Sequence, residues 1–184
     1  MFSELWMPWI IDMKPLPAPG VFGTVLEPIR AWQKMQATRP LTDARIDDYD
    51  AVFLAGGHGT MWDFPEDPAL RKIVEHAFER GLPLGAVCHG PAGLLSARRA
   101  DGAFWIAGRR VNDFTNAEEQ AAGMTAIVPF LLEDRLRAAG GRFESSGVFS
   151  RHVAVDGALV TGQNPASAEA VAEKMVELIR AGRR

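Results

Sequence analysis

The stretch that decides the fold is Leu84-Gly85-Ala86-Val87-Cys88-His89-Gly90-Pro91-Ala92, in which an apolar run passes directly into a cysteine and a histidine. The run before Cys88 predicts a buried strand, and apolar residues resume at helical spacing after Pro91. Small residues on both sides of a nucleophile are what a sharp strand-to-helix turn requires sterically. The sequence therefore predicts a turn of this kind with Cys88 at its apex.

The pattern on either side of this turn predicts an α/β fold. From Asp50 onward, short apolar runs alternate with amphipathic stretches, which is typical of strands and crossover helices around a mostly parallel sheet. A buried strand over 51–54 is expected to end at Gly56-Gly57. A helix is expected from Pro68, with Asp67 as its N-cap, to Gly81. After the cysteine we expect a capped short helix at 116–119, helices over 128–139 and 166–180, a strand beginning at Phe143, and two hairpins.

The two predicted hairpins differ in the strength of their turn signals. Residues 152–155 and 159–161 flank Asp156-Gly157, which is a strong two-residue hairpin signal. Residues 104–106 and 110–111, with a turn near Gly108, are expected to form a small β-hairpin at the edge of the sheet.

Composition and charge narrow the class of partner. The chain has 184 residues, 47% of them hydrophobic, and a net charge of -3 with both signs interleaved, so we expect one core and no nucleic-acid partner. No signal peptide is recognisable and no apolar run approaches about 18 residues, which predicts a cytoplasmic protein without a membrane partner. A single cysteine excludes an internal disulfide, and four scattered histidines show no zinc spacing.

The first part of the chain lacks the alternation of strand and helix patterns seen from Asp50 onward. Pro8, Pro15, Pro17 and Pro19 interrupt it before any convincing strand. We therefore expect residues 1–48 to form an irregular, Pro-rich segment packed on an α/β domain of residues 49–184. The tryptophans at positions 6 and 9 are expected to serve as core or association-surface aromatics rather than as a ligand platform.

Cys88 is the residue in which chemistry is expected. A lone cysteine is more often an inert buried hydrophobe, but its position between a strand and a helix N-terminus, beside His89, favours a thiolate with a depressed pKa. The strand end at Gly56-Gly57 and the amide of His89 can each supply a backbone donor for an oxyanion. Taken alone, His89 is more often a helix cap or bound to solvent, and Gly56-Gly57 is as often an ordinary strand-ending turn. Substrate contacts are expected from Gly56, His58 and Trp62.

Four motifs stand in order along the chain. They are Ala51-Val52-Phe53-Leu54-Ala55-Gly56-Gly57-His58-Gly59-Thr60-Met61-Trp62-Asp63, Ala86-Val87-Cys88-His89-Gly90-Pro91-Ala92, Phe114-Thr115-Asn116-Ala117-Glu118-Glu119 and Thr161-Gly162-Gln163-Asn164-Pro165-Ala166-Ser167. Together they resemble the ThiJ/PfpI superfamily, which is also called class I glutamine amidotransferase-like, and within it the heat-shock chaperone and glutathione-independent glyoxalase III branch.

The resemblance implies a flavodoxin-like three-layer sandwich with Cys88 as nucleophile, His89 as its base and Glu119 as the third member of a triad. It also implies that the amides of Gly57 and His89 form the oxyanion hole. Glu119 is preferred to Glu118 because it stands at the matching step of the third motif. The implied activity is conversion of methylglyoxal to D-lactate without glutathione, with no metal or organic cofactor. Some members of this branch also act as holdase chaperones on unfolded clients.

The chain departs from this branch at its start. Relatives carry an early strand and helix with a glutamate that hydrogen-bonds the nucleophilic sulfur, and neither Glu4 nor Glu27 has that context. A sheet without its first strand would expose an edge, which favours a homodimer and leaves a catalytically silent member as an alternative. None of the four histidines has Glu two places later, so glutaminase activity is disfavoured, and a cysteine peptidase is less supported.

Overall fold

The structure is a computed structural model that describes residues 38–182. The chain divides into two compact units, Met1–Arg45 and Ile46–Arg184. The described part of the first unit contains a 3-10 turn at Leu41–Asp43. Most of the predicted Pro-rich segment lies outside the described residues, as do Trp6, Trp9, Glu4 and Glu27, so those expectations stay predictions.

A four-stranded, mostly parallel sheet forms the centre of the second unit, as predicted. Its order is β1-β2-β6-β5, with β1 at Val52–Leu54, β2 at Leu84–Val87, β6 at Leu159–Gly162 and β5 at Val153–Asp156. β1, β2 and β6 run parallel, and β5 pairs antiparallel with β6. The hairpin predicted at Asp156-Gly157 is therefore confirmed. Gly157 has a φ of 60°, which a glycine adopts without steric cost.

Five α-helices accompany these strands in residues 38–182. They are α1 at Thr60–Asp63, α2 at Pro68–Arg80, α3 at Asn116–Ala121, α4 at Leu132–Ala138 and α5 at Ala168–Gly182. The boundaries of α2 are as predicted, because the Asp67 side chain accepts hydrogen bonds from the amides of Ala69 and Leu70 and Gly81 ends the helix in a left-handed conformation. None of these helices has the length and apolarity needed to cross a bilayer.

Helices cover both faces of the sheet. Gly85 of β2 lies against Met175 of α5, where a Cβ atom would overlap the methionine sulfur. Leu54, which pairs with Ala86, lies with Leu70 of α2 against Gly93. Because successive residues of a strand point to opposite faces, α5 and α2 pack on different sides of β2, and every residue of β2 is buried. The domain is thus a three-layer sandwich.

The prediction of a small hairpin over 104–111 is wrong. β3, at Arg110–Val111, pairs in parallel with β4, at Arg142–Phe143, while Phe104 forms an isolated antiparallel bridge with Arg98. Residues 104–109 coil into two successive turns, with Ala107 N donating to Phe104 O and Arg109 N to Ile106 O. These turns bury Ile106 completely, so the apolar run that looked like a strand is instead a core-facing turn.

Four other elements differ from their predicted type, boundaries or burial. The segment after Cys88 is a 3-10 helix, Gly90–Ser96, and all seven of its residues are buried. α4 begins at Leu132 rather than at 128, although Val128 is buried, and α5 follows a 3-10 turn at Pro165–Ser167. The strand predicted at 51–54 is only partly buried, because β1 ends the strand order of the described residues and leaves Phe53 42% exposed.

Candidate active site

Cys88 occupies a strained turn between β2 and the 3-10 helix Gly90–Ser96. Its φ is 58°, in the left-handed region that non-glycine residues rarely adopt. The strain is held by two backbone hydrogen bonds, from Cys88 N to Gly162 O at 2.9 Å and from Phe114 N to Cys88 O at 3.0 Å. A strained residue fixed in this way at the end of a parallel strand has the geometry of a nucleophile turn.

Two glycines allow other backbone segments to approach this turn. A Cβ atom on Gly56 would lie 2.6 Å from Val87 O and 2.8 Å from Cys88 Cβ, and one on Gly90 would overlap Leu54 O. The loop after β1 therefore lies directly against the cysteine. The predicted role of Gly56 in substrate binding stays a prediction, but its lack of a side chain has a packing reason of its own.

Two backbone amides point at the sulfur. Those of Gly57 and His89 both hydrogen-bond Cys88 Sγ. Gly57 has a φ of 117°, a conformation that residues with a side chain rarely adopt, so a glycine lets the amide point in this direction without steric cost. An oxygen on a carbon attached to the sulfur would lie beside the same two donors.

The imidazole of His89 joins the sulfur to a buried carboxylate. His89 Nδ1 lies 3.2 Å from Cys88 Sγ, and His89 Nε2 lies 2.8 Å from Glu119 Oε2. His89 is fully buried and Glu119 is 2% exposed. With the proton on Nε2, the ring donates to Glu119 and leaves Nδ1 free to accept a proton from the thiol. The structure thus brings the three predicted triad residues together in a continuous chain of contacts.

His58 is a second imidazole on the same carboxylate. Its Nε2 lies 2.8 Å from Glu119 Oε1, and its ring centroid lies 4.1 Å from that of His89. The sequence predicted His58 as a polar wall of the ligand site and missed this partnership. The two residues are 61 positions apart, so no local pattern could have indicated the contact.

These three side chains form the one group in residues 38–182 whose His, Cys, Asp or Glu donor atoms are close enough to hold a metal ion. The donor atoms of His58, His89 and Glu119 lie within 4.8 Å of one another. Each histidine is at hydrogen-bonding distance from its own carboxylate oxygen, which accounts for the arrangement without a metal. The absence of a metal requirement stays a prediction.

The predicted depressed pKa of Cys88 is wrong. Burial raises the pKa of the thiol from 9.0 to about 11. The amides of His89 and Gly57 lower it, but the nearby charges of Glu118 and Glu119 add to the effect of burial. The sequence suggested a helix N-terminus and an imidazole as stabilisers of a thiolate, and it could not show the two carboxylates behind them.

The pKa of His89 is shifted downward, whereas that of Cys88 is raised. Burial lowers the pKa of His89 below 6.5, the hydrogen bond to Glu119 opposes this, and the neighbouring His58 lowers it further. At neutral pH the resting pair is therefore a thiol beside a neutral imidazole. The proton has to move from sulfur to Nδ1 as the sulfur attacks, which is general-base rather than ion-pair catalysis.

Glu118, next to the proposed triad residue, has a separate set of partners. The Thr115 amide and hydroxyl donate to Oε2, and the Phe149 amide, Gln163 Nε2 and Asn164 Nδ2 donate to Oε1, all at 2.8–3.0 Å. Burial raises its pKa, but the hydrogen bonds from Gln163, Thr115 and Asn164 lower it more, so the net shift is downward. The sequence weighed Glu118 only as an alternative to Glu119 and missed this role.

Trp62 lies on α1, which is attached to the site through Thr60. The Thr60 hydroxyl is within hydrogen-bonding distance of Gly57 O at 2.8 Å and His89 O at 3.0 Å. Trp62 itself is 52% exposed, and its predicted contact with substrate stays a prediction.

Asp113 is a buried carboxyl that the sequence did not single out. It precedes Phe114, whose amide binds Cys88 O, and neither of its oxygens has a hydrogen-bond partner within the described structure. Burial raises its pKa well above 3.8, and Glu133, Glu118 and Glu119 add to the shift. The shift disfavours the charged form of this buried carboxyl.

A family comparison agrees with this geometry. A model described as the DJ-1/PfpI family matches residues 28–178, which is more than half of the chain. The chain belongs to the DJ-1/PfpI family. The resemblance to ThiJ/PfpI proteins, drawn from four motifs, is thus confirmed.

Individual members of the DJ-1/PfpI family extend the match. A probable glutathione-independent glyoxalase of Schizosaccharomyces pombe is 36% identical over 156 residues, which cover 80% of this chain and 60% of that protein. The structure of glyoxalase III from Candida albicans superposes with a TM-score of 0.70 at 31% identity, covering 75% of this chain and 60% of that one.

The Rapid Encystment Protein 24 KDa of Francisella tularensis superposes with a TM-score of 0.77 at 35% identity, covering 83% of this chain and 67% of that one. These structures confirm the flavodoxin-like α/β fold. The chain spans 60% to 66% of the length of the first curated glyoxalases it matches.

We predict that alkylation of Cys88 by iodoacetamide will accelerate about tenfold per pH unit between pH 7 and pH 10, because only the thiolate reacts and its fraction rises toward a pKa of about 11. The rate can be measured by mass spectrometry at the single cysteine of the chain. Free N-acetylcysteine serves as the control and should level off earlier. A plateau below pH 8 in the protein would contradict the raised pKa.

We also predict that Asp113→Asn will stabilise the protein at pH 7. A carboxyl whose folded pKa lies above 3.8 stabilises the fold below that pH, and the contribution is lost as pH rises toward the folded pKa. The amide removes this loss, so Tm at pH 7 should rise by roughly 2–4 °C, the equivalent of about 1 kcal/mol. Thermal unfolding at pH 4 and pH 7, with Asp134→Asn as an exposed control, measures the effect. An equal or lower Tm for Asp113→Asn at pH 7 would count against a raised pKa of Asp113.

Proposed function

We propose that this protein is a cysteine-dependent enzyme of the glyoxalase III type, which converts methylglyoxal-type 2-oxoaldehydes to 2-hydroxy acids without glutathione, D-lactate being the product from methylglyoxal. The observation that carries the proposal is a sulfur contacted by two backbone amides and by an imidazole that is itself held by a buried carboxylate. The names of the curated relatives, glutathione-independent glyoxalases, support the same reaction.

The first step is addition of Cys88 to the aldehyde. A bond forms between Sγ and the aldehyde carbon while the thiol proton passes to His89 Nδ1, 3.2 Å away. The carbonyl electron pair moves onto oxygen, which accepts hydrogen bonds from the amides of Gly57 and His89. Transfer of a proton to that oxygen completes a hemithioacetal. Glu119 stabilises the imidazolium form of His89 while it exists.

The second step moves hydrogen between the two substrate carbons. His89 removes the proton from the carbon bonded to sulfur and the neighbouring carbonyl oxygen is protonated, giving an enediol. His89 then returns the proton to the neighbouring carbon while the hydroxyl on the carbon bonded to sulfur loses its proton and becomes the thioester carbonyl. The product is a thioester of the 2-hydroxy acid, so one carbon is oxidised while the other is reduced and no external oxidant is needed. Water then attacks the thioester, the acid leaves and the Cys88 thiol is restored.

His58 fits this scheme as a positioning residue. By donating to Glu119 Oε1, it leaves Oε2 for His89 and fixes the orientation of the carboxylate. Its side chain is 34% exposed, so it is the member of the cluster nearest to solvent. The predicted homodimer and cytoplasmic location belong to the same proposal and rest on the sequence.

We predict that Cys88→Ser will lower D-lactate formation from methylglyoxal by at least about 10³-fold, because the hydroxyl is a far weaker nucleophile in a site built around sulfur. Glu119→Gln should lower kcat without abolishing the fold. D-lactate is measured with a stereospecific dehydrogenase, and circular dichroism checks folding. Phe53→Ala, on the exposed side of β1, is the control and should retain activity. Retained turnover of methylglyoxal by Cys88→Ser would contradict the mechanism.

A holdase role is the second candidate, and exposed apolar side chains favour it. In the described residues five large hydrophobic side chains are at least 42% exposed: Phe53, Trp62, Ile127, Val148 and Phe149. Binding to unfolded clients needs such surface but no nucleophile. Suppression of citrate synthase aggregation should therefore persist in Cys88→Ser, whereas its loss in that variant would argue against an independent chaperone role.

A further inference from the structure

The loop at residues 146–150 is held rigidly by buried side chains. Ser146 N donates to Gln163 Oε1 at 2.8 Å, and Gln163 Nε2 donates to Gly147 O at 3.2 Å. Phe149 N donates to Glu118 Oε1 at 2.8 Å, and Asn164 Nδ2 donates to Ser150 O at 2.7 Å. The three side chains that fix the loop, Glu118, Gln163 and Asn164, are at most 1% exposed. The loop backbone is therefore fixed from beneath.

The apolar side chains of this fixed loop nevertheless face solvent. Val148 is 47% exposed and Phe149 is 52% exposed. Phe149 also has a φ of 54°, and in residues 38–182 the one other non-glycine residue with a positive φ is Cys88. A strained residue that is held in place by buried polar groups suggests a functional role for its side chain.

The Phe149 ring continues a row of rings that starts at the base. The Phe114 ring centroid lies 4.7 Å from that of His89 and 6.0 Å from that of His58. The Phe149 ring centroid lies 6.0 Å from that of Phe114, and Phe149 is half-exposed whereas His89 and Phe114 are buried. A row of ring contacts therefore connects the imidazole of His89 to an exposed ring.

We propose that Phe149 is a specificity-determining residue that contacts the R group of the 2-oxoaldehyde, so that the site prefers substrates with an aromatic or bulky apolar R group. This inference rests on the proposed function. In this proposal the reacting carbonyls bind at Cys88, and a phenyl R group extends further toward the Phe149 ring than a methyl group does. Contact with the phenyl group would remove the exposed face of the Phe149 ring from water.

Glu118 is the positioning residue for this contact. It accepts a hydrogen bond from the Phe149 amide and so helps to hold this residue in its left-handed backbone conformation. The buried charge of Glu118 also disfavours an anionic R group near the loop. The substrate class is therefore neutral and apolar, with phenylglyoxal as its simplest test compound.

The experiment compares kcat/KM for phenylglyoxal and methylglyoxal in the wild type, Phe149→Ala and Phe149→Leu. We expect Phe149→Ala to lower kcat/KM for phenylglyoxal about tenfold and that for methylglyoxal less than about twofold. The kcat/KM of Phe149→Leu for phenylglyoxal should lie between those of the wild type and Phe149→Ala. Alanine and leucine disfavour a positive φ about as much as phenylalanine does. A difference between these variants and the wild type therefore reports on the ring rather than on the loop conformation. Phe53→Ala, an exposed phenylalanine on β1, is the matched control and should leave the ratio unchanged.

Glu118→Gln tests the positioning role through the same ratio. If Glu118 acts through Phe149, the substitution should lower the phenylglyoxal preference in the wild type and change it little in the Phe149→Ala background. A loss of fold would lower both rates together, and it would not produce this non-additivity. Equal effects in both backgrounds would show that Glu118 does not act through the ring.

The outcomes separate this inference from the function on which it rests. If the wild type converts both aldehydes and Phe149→Ala leaves their ratio unchanged, or lowers both equally, the specificity role is overturned and the glyoxalase proposal stands. If the wild type converts neither aldehyde, the proposed function fails and the inference fails with it.

Discussion

Two consecutive carboxylates, buried in the first turn of α3, are the constraint on which the rest of the site depends. Burying a charge is costly unless hydrogen bonds replace the lost water. Glu118 receives five hydrogen bonds from Thr115, Phe149, Gln163 and Asn164, and Glu119 receives two from His58 and His89. The partners that stabilise the carboxylates are thereby fixed in position, and they include the base and the loop beside it.

Burial, reinforced by the same charges, determines the resting state of the sulfur. Burial of Cys88 opposes ionisation of the thiol, the negative charges of Glu118 and Glu119 add to this effect, and burial also lowers the pKa of His89. A pKa of about 11 means that only a small fraction of the thiol is ionised at pH 7. Reactivity then depends on an electrophile that reaches the sulfur while His89 accepts the proton. An unbound thiol of this kind is also a poor target for oxidants, since oxidation follows thiolate character.

Local patterns predicted the parts of the fold that local interactions determine. The N-cap Asp67, the terminator Gly81 and the hairpin at Asp156-Gly157 each act within a few residues, and each is present. The hairpin over 104–111 failed because the partner of Arg110–Val111 is Arg142–Phe143, about thirty residues away. Turn propensity near Gly108 could not show that β4 competes for the same strand.

The candidate site divides in the same way. Cys88, His89, Gly57 and Glu119 lie where the motifs placed them, but their roles rest on geometry and stay proposals. The pKa of Cys88, the second imidazole on Glu119 and the loop held by Glu118 all depend on contacts between segments 30 or more residues apart. A sequence pattern identifies such residues one at a time, and the electrostatics arises only from their sum.

The adjacency of Glu118 and Glu119 explains how one helical turn can serve two purposes. Successive residues of an α-helix point about 100° apart, so neighbouring carboxylates reach different surroundings. Glu119 reaches the two imidazoles, while Glu118 reaches back to its own N-cap and across to the 146–150 loop. Because both side chains project from the same short helix, capped by Thr115, a shift of that helix would move the base and the loop together. The positions of His89 and of the proposed substrate contact, Phe149, are therefore fixed relative to each other by the same helix.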